Sequence, residues 1–162
     1  MKTLTRTFVL TTALALSGMA AAPAFAYDEN STASVNVDTT GVGLQGYDPV
    51  SYHSVGVPQE GSAEFTAEFE GVTYQFTSEA NRSRFVANPA GYAPAYGGFC
   101  QTGAAINKKL DIDPKSWRIA DGVLYLYIND QAMTTFLKDH DNMTEAANVN
   151  WPLIRDAKPS EL

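Results

Sequence analysis

The residues with the clearest chemical potential are one cysteine and one histidine. Cys100 is the only cysteine of the 162-residue chain and ends the run Tyr96-Gly97-Gly98-Phe99-Cys100. A lone cysteine has no internal disulfide partner, and a thiolate is a soft donor that suits Cu(I) or Zn(II). We therefore predict Cys100 as the first ligand of a metal site. His53 is the second candidate, because a neutral, accessible imidazole in the turn where we expect it would ligate a metal.

Four more side chains are candidates for a ligand pocket around these two. Tyr47, Asp48, Tyr52 and Tyr96 carry groups that shape a pocket wall or hydrogen-bond a ligand. Asp48 stands in Gly46-Tyr47-Asp48-Pro49, where turn geometry alone is a sufficient explanation for the sequence. The sequence does not show that these groups meet.

Structural explanations compete with each of these functional ones. Free cysteine is among the most buried residue types, so an inert, buried Cys100 is the alternative to metal ligation or redox function. A plain surface-loop role is favoured for His53. His140, Met133 and Met143 share a helical stripe with apolar residues, and packing is their default role.

Acidic residues offer little support for a hard-cation site. Asp111 and Asp113 precede Pro114, and Asp139 and Asp141 flank a histidine. Neither pair has the regular ligand spacing of a calcium loop. Turns and a solvated helix face explain them better.

The sequence contains no specific signature of an enzyme class. A cysteine nucleophile needs a base and an orienting group, and the chain has only two histidines. No phosphate loop, CxxC pair, nucleophile elbow or zinc-hydrolase helix is present in the sequence. We therefore expect a non-catalytic binding protein.

The N-terminus predicts export. Lys2 and Arg6 precede an apolar run, and small residues lead to Ala24-Phe25-Ala26, the pattern of a cleavable signal peptide over residues 1–26. We expect a mature chain from Tyr27, without membrane insertion after cleavage, in the periplasm, with secretion as the alternative.

The charge narrows the classes of partner. The formal net charge of −7 becomes −9 when a leader with two basic and no acidic residues is removed. Dispersed Lys and Arg argue against nucleic acid and against anionic membrane surfaces. We read Lys108 and Lys109 as a solvated pair. A metal cation, a small ligand or a protein partner in the cell envelope remains compatible with this charge.

Periodicity predicts a single α+β domain over residues 42–156, after a flexible lead-in at 27–41 and before a tail at 157–162. We expect a small, mostly antiparallel sheet covered by helices, and we see no internal repeat. The predicted elements are a turn and short strand at 44–52, a hairpin at 63–76, a helix from Ser78 to Ala87, a shaped loop to Cys100, a hairpin at 117–128, and helical structure from Gln131 that Trp151-Pro152 ends.

Several motifs in this order resemble the YHS-domain family, specifically its exported single-domain branch. The resemblance covers residues 42–156. It rests chiefly on Gly46-Tyr47-Asp48-Pro49-Val50-Ser51-Tyr52, Tyr96-Gly97-Gly98-Phe99-Cys100, Asp121-Gly122-Val123-Leu124-Tyr125-Leu126 and Ala147-Asn148-Val149-Asn150-Trp151-Pro152.

This resemblance implies soft-metal handling, most plausibly of copper. In cysteine-containing versions of the domain, thiols stand at positions that match Ser51, Thr77 and Asn81 here, and none of these residues supplies a thiolate. A metal site would then depend on Cys100 with His53. The alternative is an interaction or small-ligand scaffold in which Cys100 is structural.

Overall fold

The computed structural model describes residues 27–162, and the predicted signal peptide at 1–26 lies outside them. The elements are α1 (Pro49–Ser54), β1 (Ser62–Phe69), β2 (Val72–Phe76), α2 (Glu79–Ala87), α3 (Pro89–Tyr92), α4 (Gln101–Ala105), β3 (Asp113–Ala120), β4 (Val123–Tyr127), α5 (Asp130–Lys138) and α6 (His140–Ile154), with short 3-10 turns at Leu44–Gly46, Ala95–Gly98 and Pro159–Glu161.

The predicted α+β class is confirmed, with two separate sheets in place of one. Strand β1 pairs antiparallel with β2, and β3 pairs antiparallel with β4. Each hairpin turns through two left-handed residues, Glu70-Gly71 in the first and Asp121-Gly122 in the second. Such turns match the natural twist of paired strands, which is why both hairpins were predictable.

The helix after each hairpin begins at a side-chain cap. Ser78 Oγ accepts a hydrogen bond from the Asn81 N–H at 3.2 Å, and Asn129 Oδ1 accepts from the Ala132 N–H at 2.8 Å. These bonds satisfy N–H groups that lack partners in the first turn of a helix. Helix α2 ends at Ala87, as predicted, and Pro89 begins α3.

The structure contains a repeat, where the sequence analysis predicted none. A left-handed turn, a short helix, an eight-residue strand, a five-residue strand and a nine-residue helix occur in the first copy (residues 44–87) and again in the second copy (96–138). The turn has φ values of 54°, 51° and 80° at Leu44–Gly46 and of 51°, 58° and 77° at 96–98. Asp48 and Cys100 then stand at the equivalent position just before the short helices α1 and α4, where only the Asp48 side chain makes a capping hydrogen bond.

The strand predicted within residues 44–52 is wrong, because α1 occupies this segment. Pro49 stands at the first helical position, where its missing N–H costs nothing. Asp48 Oδ1 accepts a hydrogen bond from the Val50 N–H at 2.8 Å and so starts the helix. Asp48 itself is extended, as a residue before proline should be.

The C-terminal region forms two helices, α5 and α6. The chain bends at Asp139 between α5 and α6, which leaves Leu137 44% exposed while Phe136 and Ala147 are buried. Pro152 lies inside α6, and the helix ends at Ile154, so the predicted end at Trp151-Pro152 is wrong. Trp151 packs against the rings of Tyr96 and Phe99.

Residues 27–41, predicted as a flexible lead-in, lie against the domain. The Asn36 N–H donates to the Gly97 carbonyl at 2.8 Å, and the Ser34 carbonyl oxygen lies 2.0 Å from where a Cβ on Gly97 would stand. Only glycine therefore permits this crossing. The C-terminal tail joins the same side, where the Ser160 N–H donates to the Glu29 carbonyl at 2.9 Å.

Lys109 ties both chain ends to the domain and is not the solvated residue predicted from sequence. Its side chain is 1% exposed, and its Nζ donates to the carbonyls of Ala33, Arg155 and Ala157 at 2.7, 3.0 and 2.8 Å. The Nζ also lies 4.8 Å from the centre of the Phe99 ring. These contacts offset the cost of burying an ammonium group.

Within residues 27–162, no helix combines the length and the apolar composition needed to cross a membrane.

Candidate functional site

Cys100 is buried in the core of the second copy. Its side chain has no exposed surface, and its Sγ accepts a hydrogen bond from the Ile128 N–H at 3.3 Å. The Cys100 N–H donates to the Leu110 carbonyl at 3.0 Å. This environment agrees with the structural explanation of the thiol, because an accessible, electropositive setting is what makes a cysteine reactive.

His53 lies on α1 and packs against Tyr92. Its ring meets Tyr92 edge to face, with the ring centres 5.3 Å apart. Its Nε2 is buried and has no hydrogen-bond partner among the residues described. Burial lowers the pKa of His53, because the charged imidazolium loses hydration there.

Among the described residues, neither Cys100 nor His53 belongs to a cluster of potential metal ligands. Within residues 27–162, no group of three or more His, Cys, Asp or Glu side chains stands close enough to hold a metal ion. Cys100 is bonded to Leu110 and Ile128, and His53 packs on Tyr92. A copper site at these residues would therefore need donors or a conformation other than those described.

Asp48 and Tyr52, both candidates for a pocket, are instead internal to the fold. Asp48 is fully buried, and its Oδ2 accepts from the Thr77 N–H, the Thr77 hydroxyl and the Asn81 amide at 3.0, 2.8 and 2.6 Å. The Tyr52 hydroxyl donates to the Pro114 carbonyl at 3.0 Å. Burial raises the pKa of Tyr52 well above its usual value. The hydrogen bonds of Asp48 therefore hold the first copy together, and that of Tyr52 joins the first copy to the second.

The three positions that match thiols in the resembled family lie together around Asp48. Thr77 and Asn81 bond its carboxyl group, and the Ser51 hydroxyl donates to its backbone carbonyl at 2.7 Å. Oxygen and nitrogen atoms thus form a hydrogen-bonded cluster at these positions, and Asp48 accepts bonds from its members.

Tyr47 is the predicted pocket residue that lines an open cleft. This cleft, which we call the Tyr47 cleft, has a volume of about 330 Å³. It is lined by Gln45, Gly46, Tyr47, Glu60, Gly61 and Gln75. The Tyr47 hydroxyl donates to Glu60 Oε1 at 3.3 Å. Burial is the main cause that raises the pKa of Tyr47, with a smaller opposing effect of Lys115.

Backbone geometry fixes the shape of the Tyr47 cleft. Leu44 and Gln45 have left-handed φ values of 54° and 51°, a conformation that costs a non-glycine residue about 1–2 kcal/mol. The Gln45 amide compensates by donating to the Ile112 carbonyl at 2.8 Å. A Cβ on Gly61 would stand 2.5 Å from the Gln75 backbone, so glycine is also required at this lining position.

Tyr96, the last pocket candidate, belongs to a different region. Its hydroxyl donates to Asn148 Oδ1 at 2.9 Å, and its ring packs near Tyr125 and Trp151. Burial raises the pKa of Tyr96, while the nearby Gln101 amide opposes the shift. The structure thus separates Tyr96 from Tyr47.

Comparison of the chain with protein-family models, with curated proteins and with solved structures finds no match.

Sequence reasoning missed several residues that shape these regions. Gln45, Glu60 and Gln75 line the Tyr47 cleft from three separate segments, and no local pattern joins them. The left-handed Gln45 has a glycine after it, which signals a tight bend but not a cleft. No local sequence pattern predicts the burial of Lys109, because its hydrogen-bond partners are carbonyl groups from distant segments.

Proposed function

We propose that this chain is an exported, non-catalytic binding module of the YHS type, in which the Tyr47 cleft takes a small polar ligand and Cys100 is structural. The observation that supports this proposal is the strained left-handed backbone at Leu44 and Gln45 beside an open cleft. Strained backbone persists where surrounding structure over-determines it and is concentrated at binding sites.

The lining of the cleft favours a neutral or cationic ligand. Glu60 brings a carboxyl group, Tyr47 a phenol, and Gln75 an amide. These groups hydrogen-bond hydroxyl and amine groups, and the net charge of −7 favours a cation over an anion. A volume of about 330 Å³ suits a small metabolite.

Soft-metal binding through Cys100 is the competing hypothesis, and copper is its first candidate. It requires the thiol to exchange its buried position and its bond to the Ile128 N–H for a metal ion. An interaction module for a protein of the cell envelope is a further reading of the same scaffold.

A thermal-shift panel tests the proposal with glucose, putrescine and arginine as ligands, acetate as the anionic control and Cu(I) under anaerobic conditions. A ligand at a hundred times its Kd should stabilise the protein by about 2.7 kcal/mol, which raises the Tm by about 5–10 °C for a chain of this size. The shift should disappear in Glu60→Gln.

Glu29→Gln is the matched control, because Glu29 is equally exposed but lines a different cleft, with a volume of about 460 Å³, between the chain ends. An equal loss of the shift in Glu29→Gln would contradict the assignment to the Tyr47 cleft. Stabilisation by Cu(I) alone, lost in Cys100→Ser, would favour the metal hypothesis instead.

A further inference from the structure

Buried polar atoms without partners cluster between the β3–β4 hairpin and α6. Among residues 27–162, the buried side-chain atoms that lack a hydrogen-bond partner are His53 Nε2, Gln101 Nε2, Arg118 Nε and Thr144 Oγ1. The last three lie on α4, β3 and α6. We call the group to which they belong the polar layer, and its members are Gln101, Arg118, Tyr127, His140 and Thr144.

The polar layer is centred on the Tyr127 hydroxyl. Tyr127 is fully buried, and its hydroxyl donates to Gln101 Oε1 at 2.6 Å. Burial raises the pKa of Tyr127 to about 12, while the nearby Arg118 guanidinium opposes that shift. Gln101 and Arg118 therefore approach the same hydroxyl from two elements.

Helix α6 completes the polar layer on its other side. Arg118 Nη2 and His140 Nε2 are 3.2 Å apart. Thr144 lies one helical turn beyond His140, and Asn148, which accepts from Tyr96, lies one turn further. Residues four apart share a helix face, so Thr144 lies between these two contacts.

Among the described residues, Arg118 has no carboxylate in direct contact, although the Nδ1 of its neighbour His140 lies 2.9 Å from Asp141 Oδ1. Within residues 27–162, none of the ion pairs includes Arg118, although its guanidinium lies 5.5 Å from the centre of the Tyr125 ring. A buried polar group left unpaired costs about 1–3 kcal/mol. Gln101 Nε2, in a side chain that is 1% exposed, and Arg118 Nε make no hydrogen bond among the described residues, although the Gln101 amide lies near the Tyr96 hydroxyl and the Arg118 guanidinium near that of Tyr127.

The repeat shows that the architecture does not require these polar residues. Positions equivalent to Gln101, Arg118 and Tyr127 in the first copy hold Pro49, Ala67 and Phe76. Ala67 pairs with Tyr74 as Arg118 pairs with Tyr125, so the strand registers agree. The same fold is thus built with apolar residues, and the donors of the second copy need another explanation.

We propose that the polar layer binds a small oxyanion of the carboxylate or phosphate type. Arg118 Nε and Gln101 Nε2 are donors, and a planar guanidinium matches the oxygens of such an anion. An acceptor-rich ligand would satisfy both donors and balance the positive charge. Arg118, Tyr125 and Tyr96 are half-buried, which places the entrance at the edge between β4 and α6. This site is separate from the Tyr47 cleft.

Isothermal titration calorimetry of the purified protein with sodium acetate and with sodium phosphate tests the proposal, with sodium chloride at equal ionic strength as the reference. We expect saturable binding of one of the two oxyanions. Arg118→Gln should weaken it at least about tenfold, the effect of losing about 1.4 kcal/mol of interaction. Arg84→Gln, which removes an exposed arginine of α2, should bind like the wild type.

Thr144→Val offers a milder change of the same layer if Arg118→Gln does not fold, and weaker binding is again expected. Acetate and phosphate distinguish a carboxylate site from a phosphate site. An absence of saturable binding, or binding heat that sodium chloride reproduces, would overturn the proposal. So would an oxyanion affinity that equals the wild-type value in both the Arg118→Gln and the Thr144→Val variants. A crystal grown in either anion with only water in the polar layer would also overturn it. Glu60→Gln should leave oxyanion binding unchanged, which separates this site from the proposed function.

Discussion

The two copies of the repeated unit place different chemistry at the same position. In the first copy, Asp48 accepts hydrogen bonds from the Val50 and Thr77 N–H groups, the Thr77 hydroxyl and the Asn81 amide. In the second, Cys100 accepts one, from the Ile128 N–H. Thr77 and Ile128 are equivalent, since each follows the second strand of its hairpin. Both copies therefore share one hydrogen bond, which the backbone N–H after the second strand donates to this side chain. The other hydrogen bonds of Asp48 have no equivalent at Cys100.

This difference shows which polar groups serve the fold. The partners of Asp48 form a network within a single copy, as expected of buried polar groups that stabilise a structure. The second copy instead leaves Gln101 Nε2 and Arg118 Nε without partners among the described residues. Stabilisation of the fold explains the hydrogen bonds of Asp48, but it does not explain the donors of Gln101 and Arg118 that lack partners.

The largest effect is expected from truncating the two equivalent acceptors. Asp48→Ala should lower the free energy of unfolding by about 3–5 kcal/mol, because several buried N–H and O–H groups lose their hydrogen-bond acceptor. Cys100→Ala should cost only about 1–2 kcal/mol, since a small buried side chain and one weak hydrogen bond are lost. Urea denaturation of both variants beside the wild type measures the difference.

Equal costs for Asp48→Ala and Cys100→Ala would contradict the assignment of a larger stabilising role to Asp48. Cys100→Ser is a useful control, because a hydroxyl oxygen retains an acceptor for the Ile128 N–H. It should be no more destabilising than Cys100→Ala.

Local patterns predicted much of the fold. The turns at Glu70-Gly71 and Asp121-Gly122, and the cap at Ser78, depend on residues close in sequence, and each was placed correctly. The α+β class followed from these elements. In contrast, residues 44–52 were predicted as a turn and a short strand, although Pro49 equally suits the first turn of a helix. Where one sequence pattern permits two local structures, tertiary contacts determine which of them forms.

The candidate site was less predictable, because its groups come from distant segments. Tyr47 was placed in a pocket, but Glu60 and Gln75 were not foreseen as its neighbours. The burial of Lys109 depends on carbonyl groups of both chain ends. The repeat was also missed, although Gly71-Val72 and Tyr74 recur as Gly122-Val123 and Tyr125, because other equivalent positions differ in type, as Ala67 and Arg118 do.

A smaller effect is expected when the polar layer is converted toward the apolar pattern of the first copy. Tyr127→Phe alone should cost about 1 kcal/mol, because Gln101 Oε1 loses its donor. Adding Gln101→Leu should recover most of that loss in protein without a bound anion, since both partners are then apolar. A double-mutant cycle measured by urea denaturation gives the coupling. Purely additive losses would argue that the two side chains act independently.

The smallest effect is a pH dependence from His53 of the first copy, whose Nε2 has no hydrogen-bond partner among residues 27–162. Burial lowers the pKa of His53 in the folded state below the ordinary value of 6.5. As the pH falls from 6.5 toward the lowered folded-state pKa, the unfolded chain takes up a proton before the folded protein does. The contribution of His53 is therefore fully present above pH 6.5 and declines across this window. His53→Gln should flatten that part of the curve of unfolding free energy against pH, measured in urea at closely spaced pH values. An unchanged slope in the variant would mean that His53 keeps its ordinary pKa in the folded protein.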